Sequence, residues 1–272
     1  MRDISKEISH YTRKFSIACP QYSAGQDCKR EGGCVCAKYG EIYALIHSLI
    51  KPDYRKATIY SFKGELPDGT QVMEKPRAAE IRKKMWAYLY GDAARKPQLD
   101  RSQLNYLSVL DRRFANGESL IIYGDSQQTD RNGAFHVKKH MPMGKTLLAS
   151  IVMIDAMYRR AFPSNKAMTY DWISFLQLRQ ILKQKDSDLL IQTQESDWLV
   201  IDDLDIIDQG DHSRASAWTK EAFDAFLIDR IDQRKPTILV CNFDVIKITL
   251  GEKMGAAFEK IATSGSTHMI RV

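Results

Sequence analysis

The chain has 272 residues, 44% hydrophobic and 27% charged, enough for one large domain or a large and a small one with a real core. Its formal charge of +6 is a mild basic bias, compatible with a nucleic-acid partner without requiring one. No apolar run approaches the roughly 18–20 residues of a membrane span. The start, MRDISKEISHYTRK, has no signal-peptide apolar centre, so a cytoplasmic protein with reduced thiols is expected.

The cysteines come first in chain order. Cys19, Cys28, Cys34 and Cys36 fall within CPQYSAGQDCKREGGCVC, and Cys241 lies far away. A loop rich in Gly, Asp, Lys and Pro cannot make much core. Four thiols there suit a tetrahedral Zn²⁺ that orders a segment too small to fold alone. The spacing C-x8-C-x5-C-x-C is not the usual paired CxxC, so free thiols and an iron–sulfur cluster stay open as alternatives, and His10 could replace one ligand.

Next, AKYGEIYALIHSLI predicts a helix with Ile42, Leu45, Ile46, Leu49 and Ile50 as its apolar positions, ended by Lys51-Pro52. PDYRKATIYSF reads as a boundary segment. Residues 76–90 read as a helix with Pro in the first turn. Another helix, about 101–115, leads through Asn116-Gly117 into the strand SLIIYG. From there strands and helices alternate. A helix over about 144–160 precedes the short strand AMTYDWI and the helix SFLQLRQILKQ. The buried strand DWLVIDDLD ends in acids, and AWTKEAFDAFLIDRIDQR is an amphipathic helix. PTILVCNF is a second buried strand, EKMGAAFEKIAT a single helix, and THMIRV a final strand. This alternation, with near-continuous apolar strands, predicts an α/β fold with a parallel sheet sandwiched by helices.

One stretch carries chemistry. HMPMGKTLLAS ends a phosphate-binding P-loop pattern in Gly144-Lys145-Thr146, but the glycine required five positions earlier is Lys139. The nearest strand-ending glycine is Gly124. The 19 residues between Gly124 and Gly144 are then an insertion where four suffice. MPMGKT is expected to form the cradle, with 125–138 projecting from the sheet edge as a mobile excursion. At the helix start, backbone amides and Lys145 would face phosphates and Thr146 would offer its hydroxyl to Mg²⁺. About forty residues past that helix, LVIDD has the form of a Walker B strand, with Asp202 to hold Mg²⁺ and Asp203 to position an attacking water. Asn242, at the tip of the next strand, could orient that water through its amide.

With those motifs in place, the chain resembles the DnaC/DnaI-type helicase loaders and their IstB-like relatives among the AAA+ ATPases. WLVIDDLD resembles their Walker B strand. FLIDRIDQRKPTILVCNFD resembles their sensor strand, with Asn242 at the sensor position. LGEKMGAAFEKI resembles the helix that follows, and CVCAKYGEIYALIHSLIKPDYRKATIYSF the join to a zinc-bearing N-terminal module. The resemblance implies a partner-binding zinc module in residues 1–48 and an AAA+ ATPase domain in 49–272 without a C-terminal lid. It implies ATP or ADP with Mg²⁺ as ligands. The implied activity is ATP-dependent loading of a hexameric replicative DNA helicase onto single-stranded DNA, with homo-oligomerisation and a weak or partner-stimulated ATPase. Phage and mobile-element relatives share this layout. An IstB-like transposition regulator and a hydrolysis-deficient adaptor are the alternatives.

Three departures from the family pattern stand out. The insertion is basic (HVKKH). Lys253 and Lys260 stand where the family commonly has arginines, one of them a finger reaching a neighbouring site. No arginine of the lid type precedes the end at MIRV. Arg230 or Arg234 could act in trans instead, or be solvated on an exposed helix. Tyr170, Trp172 and Phe175 could stack on DNA bases, though their spacing fits core packing better.

Overall fold

Five strands pair in parallel: β1 (Leu120–Tyr123), β2 (Tyr170–Ser174), β3 (Trp198–Leu204), β4 (Thr237–Cys241) and β5 (His268–Arg271). Their order across the sheet is β2-β3-β4-β1-β5. The structure is a computed structural model, and it describes residues 35–91, 112–113, 115–124, 144–161, 168–184, 187–205, 214–246, 250–264 and 267–272. β1 and β4 are buried at every position, as strands covered on both faces must be.

Alternate residues of each strand serve opposite faces, and the two cores show it. On one face Leu120, Ile122, Val200, Ile238, Val240 and Ile270 meet α1 (Val35–Leu49), α2 (Lys75–Tyr90) and α3 (Lys145–Ala161). On the other, Ile121, Leu199, Ile201 and Leu239 meet α4 (Phe175–Gln184), α6 (Arg214–Asp232) and α8 (Ala256–Thr263). α5 (Ser187–Glu195) and α7 (Leu250–Met254) complete the set. A parallel five-stranded sheet with helices on both faces is the α/β sandwich that the alternation of strands and helices predicts.

Most predicted elements stand where expected, with two corrections. SDLLIQTQE forms α5, whose apolar pattern is too short and weak to predict a helix. EKMGAAFEKIAT is not one helix. It breaks at Gly255, whose φ of 101° separates α7 from α8. The predicted helix near 101–115 lies mostly outside the described residues, as does the insertion between Gly124 and Gly144.

α1 belongs to the sheet's core. Its Ile42 and Ile46 are buried with Leu148 and Val152 of α3, and Leu45 and Leu49 pack partly against them. Arg55 closes its C-terminal end by donating to the carbonyls of Ile50 (3.0 Å) and His47 (2.8 Å), which a helix end leaves without internal partners. The expected module boundary at 48/49 falls at the end of a helix packed on the sheet.

Candidate nucleotide site

The carboxyl ends of parallel strands open a crevice where helices begin, and the predicted residues gather there. α3 starts at Lys145, directly after Gly144. Gly144 has φ 73°, the left-handed region where a side chain is strained, and an added Cβ would lie 3.2 Å from Val72 Cγ2. The first amides of α3 have no partner within the helix, and the positive end of the helix dipole lies with them.

Lys145 is only 6% exposed, and its Nζ donates to the carbonyl oxygen of Gly124, just past β1, at 3.0 Å. That bond spans the insertion and brings its two flanks together. Burial lowers the Lys145 pKa, while the thiol of Cys241 and the carboxylates of Asp203, Asp205 and Asp202 pull it back.

Thr146 Oγ1 donates to Asp202 Oδ1 at 3.1 Å. The hydroxyl and the carboxylate come from α3 and β3, 56 residues apart in sequence. Asp202 is buried, and its pKa is pushed up to about 6 by that burial first and by the Asp203 charge second. Lys51, the Asp203 amide (3.0 Å) and the Thr146 hydroxyl act in the opposite direction.

Asp203 differs from its neighbour. The β3–β4 register shifts between Ile201 and Leu204, so Asp202 and Asp203 form a bulge. Asp203 has φ 56° and is exposed, whereas the rest of β3 is buried. Such a bulge re-aims a side chain beside a site, and aspartate tolerates this conformation better than most residues. Asn242 follows β4, between β1 and β3, and its backbone N–H donates to Leu204 O at 2.9 Å. Gly144, Lys145, Thr146, Asp202, Asp203 and Asn242 thus share one edge of the sheet.

Part of the site was not legible in the sequence. The segment after α1, read as a mere boundary, packs its turn Pro52–Tyr54 on α3, with Tyr54 and Val72 against the core that holds Leu147. Burial first and the Asp202 charge second raise the Tyr54 pKa. Nothing in PDYRKATIYSF signals this, because no motif requires these residue types.

Other candidates are resolved by burial. Arg230 is 1% exposed and cannot reach a neighbouring subunit. Its guanidinium donates to Thr237 Oγ1 (2.9 Å) and to the carbonyls of Gln194 (2.9 Å), Ser196 (3.0 Å) and Pro236 (3.0 Å). It ties α5, α6 and β4 together at the opposite edge of the sheet, which overturns both the trans-acting and the solvated readings. Arg234 lies at that edge too, its backbone against Gly117. Phe175 is buried, and Tyr170 and Trp172 pack partly buried against the core, as their spacing suggested. Lys260 is exposed on α8.

The zinc candidates are mostly out of view. Cys19, Cys28 and Cys34 lie outside the described residues, and Cys36 stands in the first turn of α1. Among the described residues no three of His, Cys, Asp and Glu gather into a metal-holding group.

The residues at the crevice fit a magnesium–nucleotide. A buried carboxylate beside a hydroxyl is a hard-oxygen pair of the kind Mg²⁺ takes together with phosphate oxygens and water. A buried lysine at a helix N-terminus, behind a glycine in left-handed conformation, supplies the cationic cradle.

No family model and no curated protein matches the chain. Among solved structures it is similar to a protein from Streptococcus pyogenes serotype M3 described as a primosome component, at 13% identity and TM-score 0.47, over 84% of this chain and 95% of that one. It is also similar to DnaI, at 17% identity and TM-score 0.39, over 70% and 90% of the two chains. A third is the DnaC helicase loader, at 18% identity and TM-score 0.38, over 69% and 99%. The site geometry and the sequence motifs, not these likenesses, carry the functional reading. No described helix is long and apolar enough to cross a membrane.

Proposed function

We propose that the chain is an ATP-binding protein of the DnaC/DnaI helicase-loader type. In this reading it uses a nucleotide-dependent state to place a hexameric replicative helicase on single-stranded DNA. The observation that carries nucleotide binding is the Thr146–Asp202 contact of 3.1 Å beside the buried Lys145. The loader reading rests on the motifs around these residues, from WLVIDDLD through Asn242 to LGEKMGAAFEKI.

Bound Mg-ATP would supply the scissile phosphoryl group and the metal's charge. Lys145 and the first amides of α3 would neutralise phosphate charge. Thr146 and Asp202 would hold the metal, Asp203 would orient water and accept its proton, and Asn242 would fix that water's position. An arginine finger is worth roughly 10³–10⁵ in rate, and lysine lacks its bidentate fork. With Lys253 and Lys260 at the family's arginine positions, the reading is of firm binding and slow, partner-stimulated hydrolysis. Cys19, Cys28, Cys34 and Cys36 would hold Zn²⁺ in the partner-binding segment, and elemental analysis showing about one zinc per chain tests that.

The test of the core reading is Lys145→Ala. A fluorescent ATP analogue should bind the wild type with Mg²⁺ and fail to bind the variant. Equal binding by both would refute the site. Affinity capture of a helicase rather than a transposase separates the loader from an IstB-like regulator. Absence of turnover with DNA and partner present would favour the adaptor.

A further inference from the structure

Outside the residues of the candidate nucleotide site, one surface joins an exposed aromatic to positive charge. Tyr60 is 66% exposed, yet it is held firmly. It sits between the buried anchors Ile59 and Phe62, on a turn closed by reciprocal bonds between Thr58 and Ser61. Its ring meets Trp86 of α2 edge-on at 5.5 Å, and Trp86 meets Tyr90 at 4.3 Å. The cost of ordering an aromatic on the surface has thus been met in advance.

The charge around it is one-sided. Residues 51–90 hold nine Lys and Arg against five Asp and Glu. On α2, Arg82 and Lys83 stand one turn before Trp86, the spacing that makes helix neighbours. Lys56 and Lys63 flank Tyr60 in sequence. Glu80 pairs with Arg77 and Lys84, while Arg82, Lys83, Lys56 and Lys63 pair with no carboxylate among the described residues. A firmly projected ring beside uncompensated cations suits a flexible polyanion with exposed flat bases, and single-stranded nucleic acid has both properties.

We propose that Tyr60, braced by Trp86, and the neighbouring Arg82 and Lys83 form a contact surface for single-stranded DNA. A base stacks on Tyr60 and adjacent phosphates pair with the two cations. This deepens the loader reading by naming where the strand touches. It is measured without nucleotide, so failure at either site leaves the other interpretable.

The experiment is fluorescence anisotropy of a labelled 20-nucleotide oligo-dT with the full chain at low salt. Tyr60→Ala should weaken binding roughly five- to a hundred-fold, as loss of a base-stacking ring does, and Tyr60→Phe should not. Lys83→Ala should lower the magnitude of the log–log salt slope by about 0.7. Lys145→Ala should bind the oligonucleotide normally. The Tyr60 and Lys83 variants should bind nucleotide normally, which shows that they remain folded. Unchanged DNA affinity in both Tyr60→Ala and Lys83→Ala would overturn the proposal, as would tighter binding to oligo-rU or to duplex of equal length. Intact DNA binding with lost capture of a protein partner would overturn it too, by making the patch a protein surface.

Discussion

Single residues in this chain show a conflict between stability and function, and Asp202 is the plainest case. Its carboxyl is buried beside a second acid, so its pKa rises from 3.8 to about 6. The folded state then holds the proton more tightly than the unfolded chain. Stability contributed by this group falls as pH rises from about 4 through about 6 and is level above. Asp202→Asn should therefore raise the unfolding free energy by roughly 2–3 kcal/mol at pH 7.5 in EDTA, with no gain at pH 4. It should also abolish Mg²⁺-dependent nucleotide binding. A variant no more stable than wild type at pH 7.5 would refute the burial argument. Arg230 is the opposite case, a charge kept for structure. Removing it strands several buried carbonyls, each worth about 1–3 kcal/mol. Arg230→Met should lower stability by about 3 kcal/mol or more, and Arg230→Lys should recover little because it cannot reach the same acceptors at once. A trans-acting arginine would instead leave the melting temperature unchanged while removing turnover.

At the scale of elements, the strands were the most legible part of the sequence. SLIIY, DWLVIDDL and PTILVC are unbroken apolar runs, and a parallel sheet needs that on strands buried from both sides. The helix after Gly144 and the acidic strand were legible too, each tied to a required local pattern. Three features were not. α5 is short and half-exposed, so its periodicity is faint. The Pro52–Tyr54 turn gains its place only from tertiary packing on α3. The α7–α8 break depends on a long-range contact. Asp224 of α6 accepts the Ala257 amide at 2.6 Å and so caps α8, and a Cβ at Gly255 would lie 2.5 Å from that same oxygen. Gly255→Ala should thus cost about 1–3 kcal/mol through strain at φ 101° and displacement of the cap. Chemical denaturation measures this. Because a shorter residue at 224 relieves only the clash, Asp224→Ala should rescue little of the loss. Full rescue would show that the backbone conformation carries no strain.

At the scale of the whole molecule, α1 decides where the folding unit begins. A sequence reading divides the chain near residue 48, but Ile42, Ala44 and Ile46 are all at most 3% exposed. Ile42 and Ile46 share one core with α2, α3 and four strands, and Tyr43 of α1 meets Tyr158 of α3 ring to ring at 6.4 Å. Each buried isoleucine is worth about 1.5–3 kcal/mol of transfer free energy. Two of them already approach the lower end of the 5–15 kcal/mol that holds a typical domain together. Losing α1 also takes His47 from Arg55, which leads out of the turn Pro52–Tyr54 packed on α3. A chain of residues 35–272 should therefore fold cooperatively and bind Mg-nucleotide like the full protein. A chain of residues 49–272 should lose about 3–6 kcal/mol, expose apolar surface to a hydrophobic dye, and bind nucleotide poorly. Thermal melts of the two truncations with and without Mg-ATP measure this directly. If the shorter chain melts as high as the longer one and gains as much from the ligand, α1 belongs with the N-terminal segment and not with the core under the sheet.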